Sequence, residues 1–488
     1  MLLGFVIAYW IASVAIGLWA ASRVHNTRDF AIAGRNLPFY MVTATVFATW
    51  FGSETVLGIP ATFLQKGLKG VVADPFGSSM CLILVGLFFA APLYCLKLLT
   101  IGDYYRKRFG RETEVLTTLA IVISYLGWVG AQITALGLVF NVVSGGEISK
   151  LAGMLIGSGT ILIYTYFGGM WAVAVTDLIQ MIVIMLGMLY IGGEVSGMVG
   201  GVGAVVDHAR AAGKLAFLPG FNPAEVIAFI AAWVTMMFGS IPQQDVFQRV
   251  QSAKTERIAV WASVLGGALY FCFAFVPMFL AYAATLIDPK LVSVLIQRDP
   301  QMILPRLVID HAPLLVQVVF FGALLSAIKS CASATLLAPS VTFTENLLRP
   351  LLGPHLPDRK LLLAMRLVTL VFTLLVTLYA INSKASIFKM VENAYQITLV
   401  TAFVPLLCGV YWRQATRQGA LLSIFTGLAT WLVMLNNPLG DLVPAQFAGL
   451  LASALGMVAG SLLPQWIPPA QDLTRARRHE LHPAAQIN

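Results

Sequence analysis

The strongest constraint on this chain is the spacing of its apolar residues. They fall in thirteen blocks of roughly twenty residues, at about 2–21, 38–64, 75–96, 114–143, 150–168, 170–195, 223–246, 258–285, 313–346, 361–382, 386–411, 419–436 and 445–463. A hydrocarbon core about 30 Å thick takes ~20 helical residues to cross. Backbone in that medium must satisfy its own hydrogen bonds, which a helix does. The expected fold is an all-α integral membrane protein with about thirteen transmembrane helices. Charged residues are 11% of the 488 and mean hydropathy is +0.83, where a soluble domain carries about 25% charge. That excludes a soluble enzyme, a disordered chain and a disulfide-stapled secreted scaffold. Cys81, Cys95, Cys272, Cys331 and Cys408 all lie in apolar blocks without a CxxC, and read as small core hydrophobes. The first block has no basic residue before it and no small-residue cleavage site, so a retained helix is expected there rather than a signal peptide.

An odd number of spans puts the two ends on opposite sides. Loops after odd-numbered spans hold twenty Lys and Arg, including Arg249, Arg475, Arg477 and Arg478, and loops after even-numbered spans hold ten. The positive-inside rule then predicts an outside N-terminus and a cytoplasmic C-terminus in a multi-pass plasma (inner) membrane protein. The net charge of +9 is scattered over many loops. It reads as orientation and contact with anionic membrane lipid, with no nucleic acid as partner. No loop exceeds about thirty residues and the tail, 464–488, is short and polar, so no soluble domain is expected.

Two spans are interrupted where lipid would punish it. The second carries Gly52, Gly58 and Pro60 beside Thr49, Ser53, Glu54 and Thr55; the seventh carries Gly239 and Pro242 beside Ser240, Gln243, Gln244 and Asp245. Backbone freed at membrane depth is tolerated where it is buried in protein or lines a cavity. Two such segments five spans apart are the pattern of an inverted-repeat transporter, with paired Pro kinks as the plainer alternative. Glu54 and Asp177 are ionisable groups inside apolar helices and so candidate functional residues. A paired structural charge near the interface is the alternative for each.

The run Tyr164-Thr165-Tyr166-Phe167-Gly168-Gly169-Met170-Trp171-Ala172-Val173-Ala174-Val175-Thr176-Asp177-Leu178-Ile179-Gln180 resembles the signature of the sodium/solute symporter family, YT…GG…A…TD..Q. Gln244-Asp245-Val246-Phe247-Gln248-Arg249 resembles the segment that follows the family's seventh helix, and Ala327-Ile328-Lys329-Ser330-Cys331-Ala332-Ser333 its ninth. The resemblance implies a leucine-transporter-like fold, a ten-helix (5+5) inverted-repeat core working by alternating access. On that basis 1–37 is an extra helix and loop, 38–196 and 197–411 are the two five-helix repeats, 412–463 holds two further helices and 464–488 is a cytoplasmic tail. It also implies a sodium site from the carbonyls of Ala48, Phe51 and Ala327 and the hydroxyl of Ser330, with Asp177 on the ion's exit route. Two residues depart from the family pattern. Cys331 stands where a second hydroxyl is usual, and a thiol is a poor ligand for a hard cation. Lys329 is a cation two residues from the site and a candidate coupling group. At about 100° per residue from Ala327, however, Ser330 lies near 300°, Cys331 near 40° and Lys329 near 200°. It is therefore expected to snorkel to the cytoplasmic face or to pair with a carboxylate on a neighbouring helix.

Residues expected to line the solute site are Trp50, Ser53, Glu54 and Thr55, Trp128 and Gln132, Trp233 and Gln243, and Tyr395. Aromatic faces with a carboxylate suit a choline-like amine; a proline-like amino acid is the equal alternative. The expected function is secondary active transport, sodium-coupled symport of a small organic solute, with sodium as coupling ion and no organic cofactor. Proton-coupled or ion-independent carriage and a transporter-like solute sensor are the rivals. The six histidines lie in loops or tails and no HExxH or GxSxG occurs, which argues against an intramembrane enzyme.

Overall fold

A computed structural model describes residues 1–353, 356–437 and 442–468. His355, most of the tail with Arg475, Arg477, Arg478, His479 and His482, and part of the turn before the last span lie outside the described residues. Among the described residues the regular structure is helical, apart from one isolated bridge between Leu37 and Ala253. Ten helices are long and apolar enough to cross a membrane, and the bent pair Pro223–Gly239 and Gln244–Ser252 makes an eleventh span.

The remaining expected spans are accounted for by length and by breaks. Helix Lys150–Met198 has 49 residues, about 74 Å at 1.5 Å each, more than twice the hydrocarbon thickness. It turns at Gly169, whose φ of 48° and ψ of −145° leave the helical region. A Cβ there would lie 2.5 Å from both the Phe30 ring and its carbonyl oxygen. Positive φ and close approach both require glycine at the predicted division. The broken second segment consists of Phe39–Trp50, a wide turn over Glu54–Gly58 and Ile59–Lys66.

Long helices start where a side chain can take up an orphan amide. Ser149 accepts from Ala152, Thr255 from Ile258 and Thr416 from Gly419, each at 3.1–3.3 Å. At the centre, Leu314–Phe343 packs on Lys150–Met198 and on Arg111–Val143, and Ile387–Thr398 also lies on Arg111–Val143. Leu2–Ala21 rests on the outside of this group, and Arg417–Leu435 and Ala445–Leu462 pack chiefly on each other.

The seventh span runs further than the sequence suggests. Its second half, Gln244–Ser252, is buried throughout, and Arg249 is 2% exposed. Arg249 is therefore not a loop cation. Polar residues on every side of that turn hide its burial from a hydropathy reading.

Candidate functional site

The first break is set by three residues. The helix ends at Trp50; Phe51 departs at φ −81°, ψ 74°, and the Gly52 amide bonds the Trp50 carbonyl at 3.0 Å instead of reaching back to Ala48. The Ala48 carbonyl is thereby released from the helix ladder at the centre of the bundle. A Cβ on Gly52 would sit 2.8 Å from Cys331 Sγ and 2.9 Å from Glu54 Oε2. Glycine at this position lets the broken strand of backbone lie directly on the Leu314–Phe343 helix.

Beyond the break, Gln132 holds two groups at once. Its Nε2 donates to Glu54 Oε2 at 2.8 Å, and its Oε1 accepts from the Ser53 amide at 2.9 Å. Trp50, Trp128 and Tyr395, all 2% exposed or less, form a closed trio. Trp50 and Trp128 meet edge-on at 5.3 Å, Trp128 and Tyr395 edge-on at 5.4 Å, and Trp50 stacks on Tyr395 at 5.9 Å. Tyr395 Oη and Ser53 Oγ are buried polar atoms without a partner. Native interiors seldom leave such atoms unpaired, so they are available to a guest. At the second break, Gln243 Nε2 donates to Ser124 Oγ at 3.0 Å and Thr398 Oγ1 at 3.3 Å. Thr398 in turn bonds the freed carbonyl of Gly239 at 2.7 Å.

A second polar group lies on the other side of the first break. Ser330 Oγ donates to Asp177 Oδ1 at 2.5 Å, and Thr45 Oγ1 donates to Asp177 Oδ2. One turn along, Arg249 donates to the Thr49 hydroxyl at 2.8 Å and to the Asp245 carbonyl at 2.9 Å. The Asp245 carboxylate accepts from Tyr125 Oη through Oδ1 and has no partner at Oδ2. Asp177, Ser330 and Asp245 are all 0% exposed.

Most of the sequence-picked residues converge here, but two do not behave as expected. Trp233 is only partly buried, and its ring contacts are Phe217 at 5.8 Å and Phe229 at 5.7 Å, in a separate aromatic cluster away from the trio. Its helix turns the ring towards the 217–229 segment, a direction that spacing alone does not give. Lys329 neither snorkels nor meets a carboxylate. It is 0% exposed, bonded to Ser13 Oγ, with Nζ 5.1 Å from the Trp10 ring and 4.7 Å from the Tyr164 ring. The helical wheel does place it on the face away from Ser330, where the first helix packs.

Thr55 bonds the Trp50 carbonyl at 3.2 Å and Tyr270 Oη at 3.0 Å, and Tyr270 donates to Asp74 at 2.5 Å. Asp74, 1% exposed, was not foreseen because it sits one residue before the third apolar block. An acid beside a proline at a block edge looks like a loop. Thr45 and Arg249 were likewise missed as members of the site.

Comparison with known proteins agrees with this architecture. The Sodium:solute symporter family matches residues 30–427. The human high affinity choline transporter 1 is 25% identical over 450 residues, 87% of this chain and 75% of that protein. The high-affinity proline transporter PutP of Bacillus subtilis (strain 168) is 25% identical over 485 residues, 94% and 97%. Among solved structures, a Na+-coupled sialic acid symporter in a substrate-bound outward-open state superposes with a TM-score of 0.80 at 20% identity, covering 97% of this chain and 99% of that one. The nucleobase-cation-symport-1 family transporter MHP1 gives 0.59 at 14% identity, covering 93% and 98%.

Proposed function

The chain belongs to the sodium:solute symporter family, and from that premise we propose that it carries a small amine-bearing solute, choline-like before proline-like, together with sodium. The observation that carries the solute class is the buried trio of Trp50, Trp128 and Tyr395 beside Glu54. Ring faces attract an ammonium by roughly 2 kcal/mol when water is excluded, and a carboxylate tethered by Gln132 supplies the counter-charge. Choline and proline transporters among the relatives support the same class.

Sodium binds at the first break, on the carbonyls of Ala48, Phe51 and Ala327 and on Ser330 Oγ, with Cys331 Sγ alongside. A hard cation needs several oxygens, and an interrupted helix exposes carbonyls that are otherwise committed. Ser330 donates its O–H to Asp177 in a hydrogen bond, so its lone pairs are left for the ion. Asp177 thus stands directly behind the ion and begins its way out. Repeats 38–196 and 197–411 rock about this centre, with the N-terminus outside and the C-terminus in the cytoplasm of a plasma-membrane protein. Lys329 is assigned to holding the first helix.

The test is uptake of labelled choline and proline into proteoliposomes, with Glu54→Gln. Choline should be carried, and the substitution should weaken its apparent affinity about tenfold or more, because a charge-assisted contact is roughly twice as strong as a neutral one. Unimpaired choline transport in the variant would remove Glu54 from the site. Carriage of proline alone would replace the choline-like assignment.

A further inference from the structure

A second cavity lies away from the transport centre, and it is defined by two glycines that packing does not explain. It measures about 650 Å³, within the range of about 300–1,000 Å³ typical of small-molecule sites. Its walls come from Lys150–Met198, from Glu256–Ile287 and from the short surface helix Val202–Ala211. Gly187 on the first of these helices has Ala323 Cβ 3.1 Å from where its own Cβ would be, the usual reason for glycine between packed helices. Five residues on, Gly192 would meet only Val276 Cγ1 at 3.8 Å, and Gly193 would meet nothing within 4 Å. These glycines weaken the helix without permitting a close approach. What they leave is open space against Val276 and Phe279.

The surroundings say what fills it. Two lining residues, Leu189 on the spanning helix and Val202 just after its end, are each 54% exposed on a face where the medium is lipid. Val202–Ala211 turns Val205 and Ala209 inward and keeps Asp207 and Arg210 outward, the layout of a helix lying in the membrane interface. The polar end is closed by Tyr282 Oη and His208 Nδ1 at 3.1 Å. Just beyond it Lys214 Nζ rests on the carbonyls of Leu64 and Gln65, at 2.7 and 3.1 Å, next to the lining residue Leu215. Apolar walls open to lipid, with a cation at the interfacial end, match a phospholipid in both halves.

We propose that this cavity takes one acyl chain of an anionic phospholipid from the leaflet on the side of the 202–211 helix, with its phosphate near Lys214. The site requires only the membrane-spanning fold and is independent of the solute that the transporter carries. Gly193→Leu adds a side chain where a Cβ would meet nothing within 4 Å, and Val276→Phe adds bulk from the opposite wall. Gly159→Leu makes the first change on the same helix at another position with nothing within 4 Å, outside the cavity.

The experiment uses the full chain in liposomes containing phosphatidylglycerol with a photoreactive diazirine near the end of one acyl chain, and maps adducts by mass spectrometry. Wild type and Gly159→Leu should concentrate adducts on 189–196 and 275–282. Gly193→Leu and Val276→Phe should lower them about tenfold, the loss that follows from excluding roughly two methylene groups. Adducts spread evenly over the lipid-facing helices, or undiminished in both filled variants, would overturn the proposal. Loss in Gly159→Leu as well would also overturn it, by showing that the effect is not local to the cavity.

Discussion

Arg249 and Lys329 are both buried, and they are held in opposite ways. Arg249 lies between the two broken segments, its guanidinium on the Thr49 hydroxyl of one and the Asp245 carbonyl of the other. Lys329 lies at the edge of the core, its ammonium between the Trp10 and Tyr164 rings and on Ser13, so that it fastens the first helix to Leu314–Phe343. A planar fork of donors suits carbonyls and hydroxyls set at fixed angles, whereas a compact ammonium on a flexible stem fits among ring faces. The first arrangement couples the elements that carry the proposed transport site. The second couples a peripheral helix to it.

The same substitution at both positions separates them. Arg249→Met removes the donor to the Asp245 carbonyl and leaves the Asp245 carboxylate, already unpartnered at Oδ2, without the cation one turn away. Leaving buried polar groups unsatisfied costs about 1–3 kcal/mol for each group. Transport should be lost, with a large fall in thermal stability. Survival of full uptake would show that the two breaks are not held through Arg249.

Lys329→Met should be far milder. Ser13 keeps its own bond to the Trp10 carbonyl at 2.8 Å, and an apolar chain of similar volume between two rings costs less than about 1.5 kcal/mol. Sodium dependence of uptake should be unchanged. If uptake instead vanished, or ceased to respond to sodium, Lys329 would be a coupling group and the assignment to the first helix would fall.

The smallest effect belongs to a surface pair that serves as the exposed reference for both buried cations. His311 Nε2 lies 3.0 Å from Asp288 Oδ2. The Leu291 amide, and then His311, hold the Asp288 carboxyl below its ordinary range. A carboxylate depressed in the folded state contributes stability above its unfolded pKa and loses it as pH falls through the folded value. A slight fall in melting temperature as pH drops below about 4 should therefore be weaker in Asp288→Asn. An identical acid profile in the variant would show that the pair contributes nothing.

The two cations also show what the sequence discloses. Lys329 was conspicuous because its neighbours are apolar, and helical periodicity alone turned it away from Ser330. Two of its partners, Ser13 and Trp10, come from a helix more than three hundred residues earlier, and could not be read from spacing. Arg249 was concealed by the opposite context. Gln244, Asp245, Gln248 and Gln251 make its turn look like a loop, yet all are buried. The two breaks were legible because Gly and Pro carry a local backbone meaning. So was the Gly168-Gly169 division, since positive φ is a local demand. Trp233 was misplaced and Asp74 was missed because ring direction and burial at a block edge depend on tertiary packing, which a single sequence does not disclose.

The central claim is that sodium, bound at the first break through Ser330, drives transport. Its most direct test is solute uptake into proteoliposomes as external sodium is varied, for wild type, Ser330→Ala and Cys331→Ser. Uptake should require sodium; Ser330→Ala should raise the half-saturating concentration by about tenfold, the value of one lost oxygen contact of roughly 1.4 kcal/mol, and Cys331→Ser should lower it by restoring a hydroxyl. Full uptake in sodium-free medium with a proton ionophore present would contradict the account and leave an ion-independent carrier in its place.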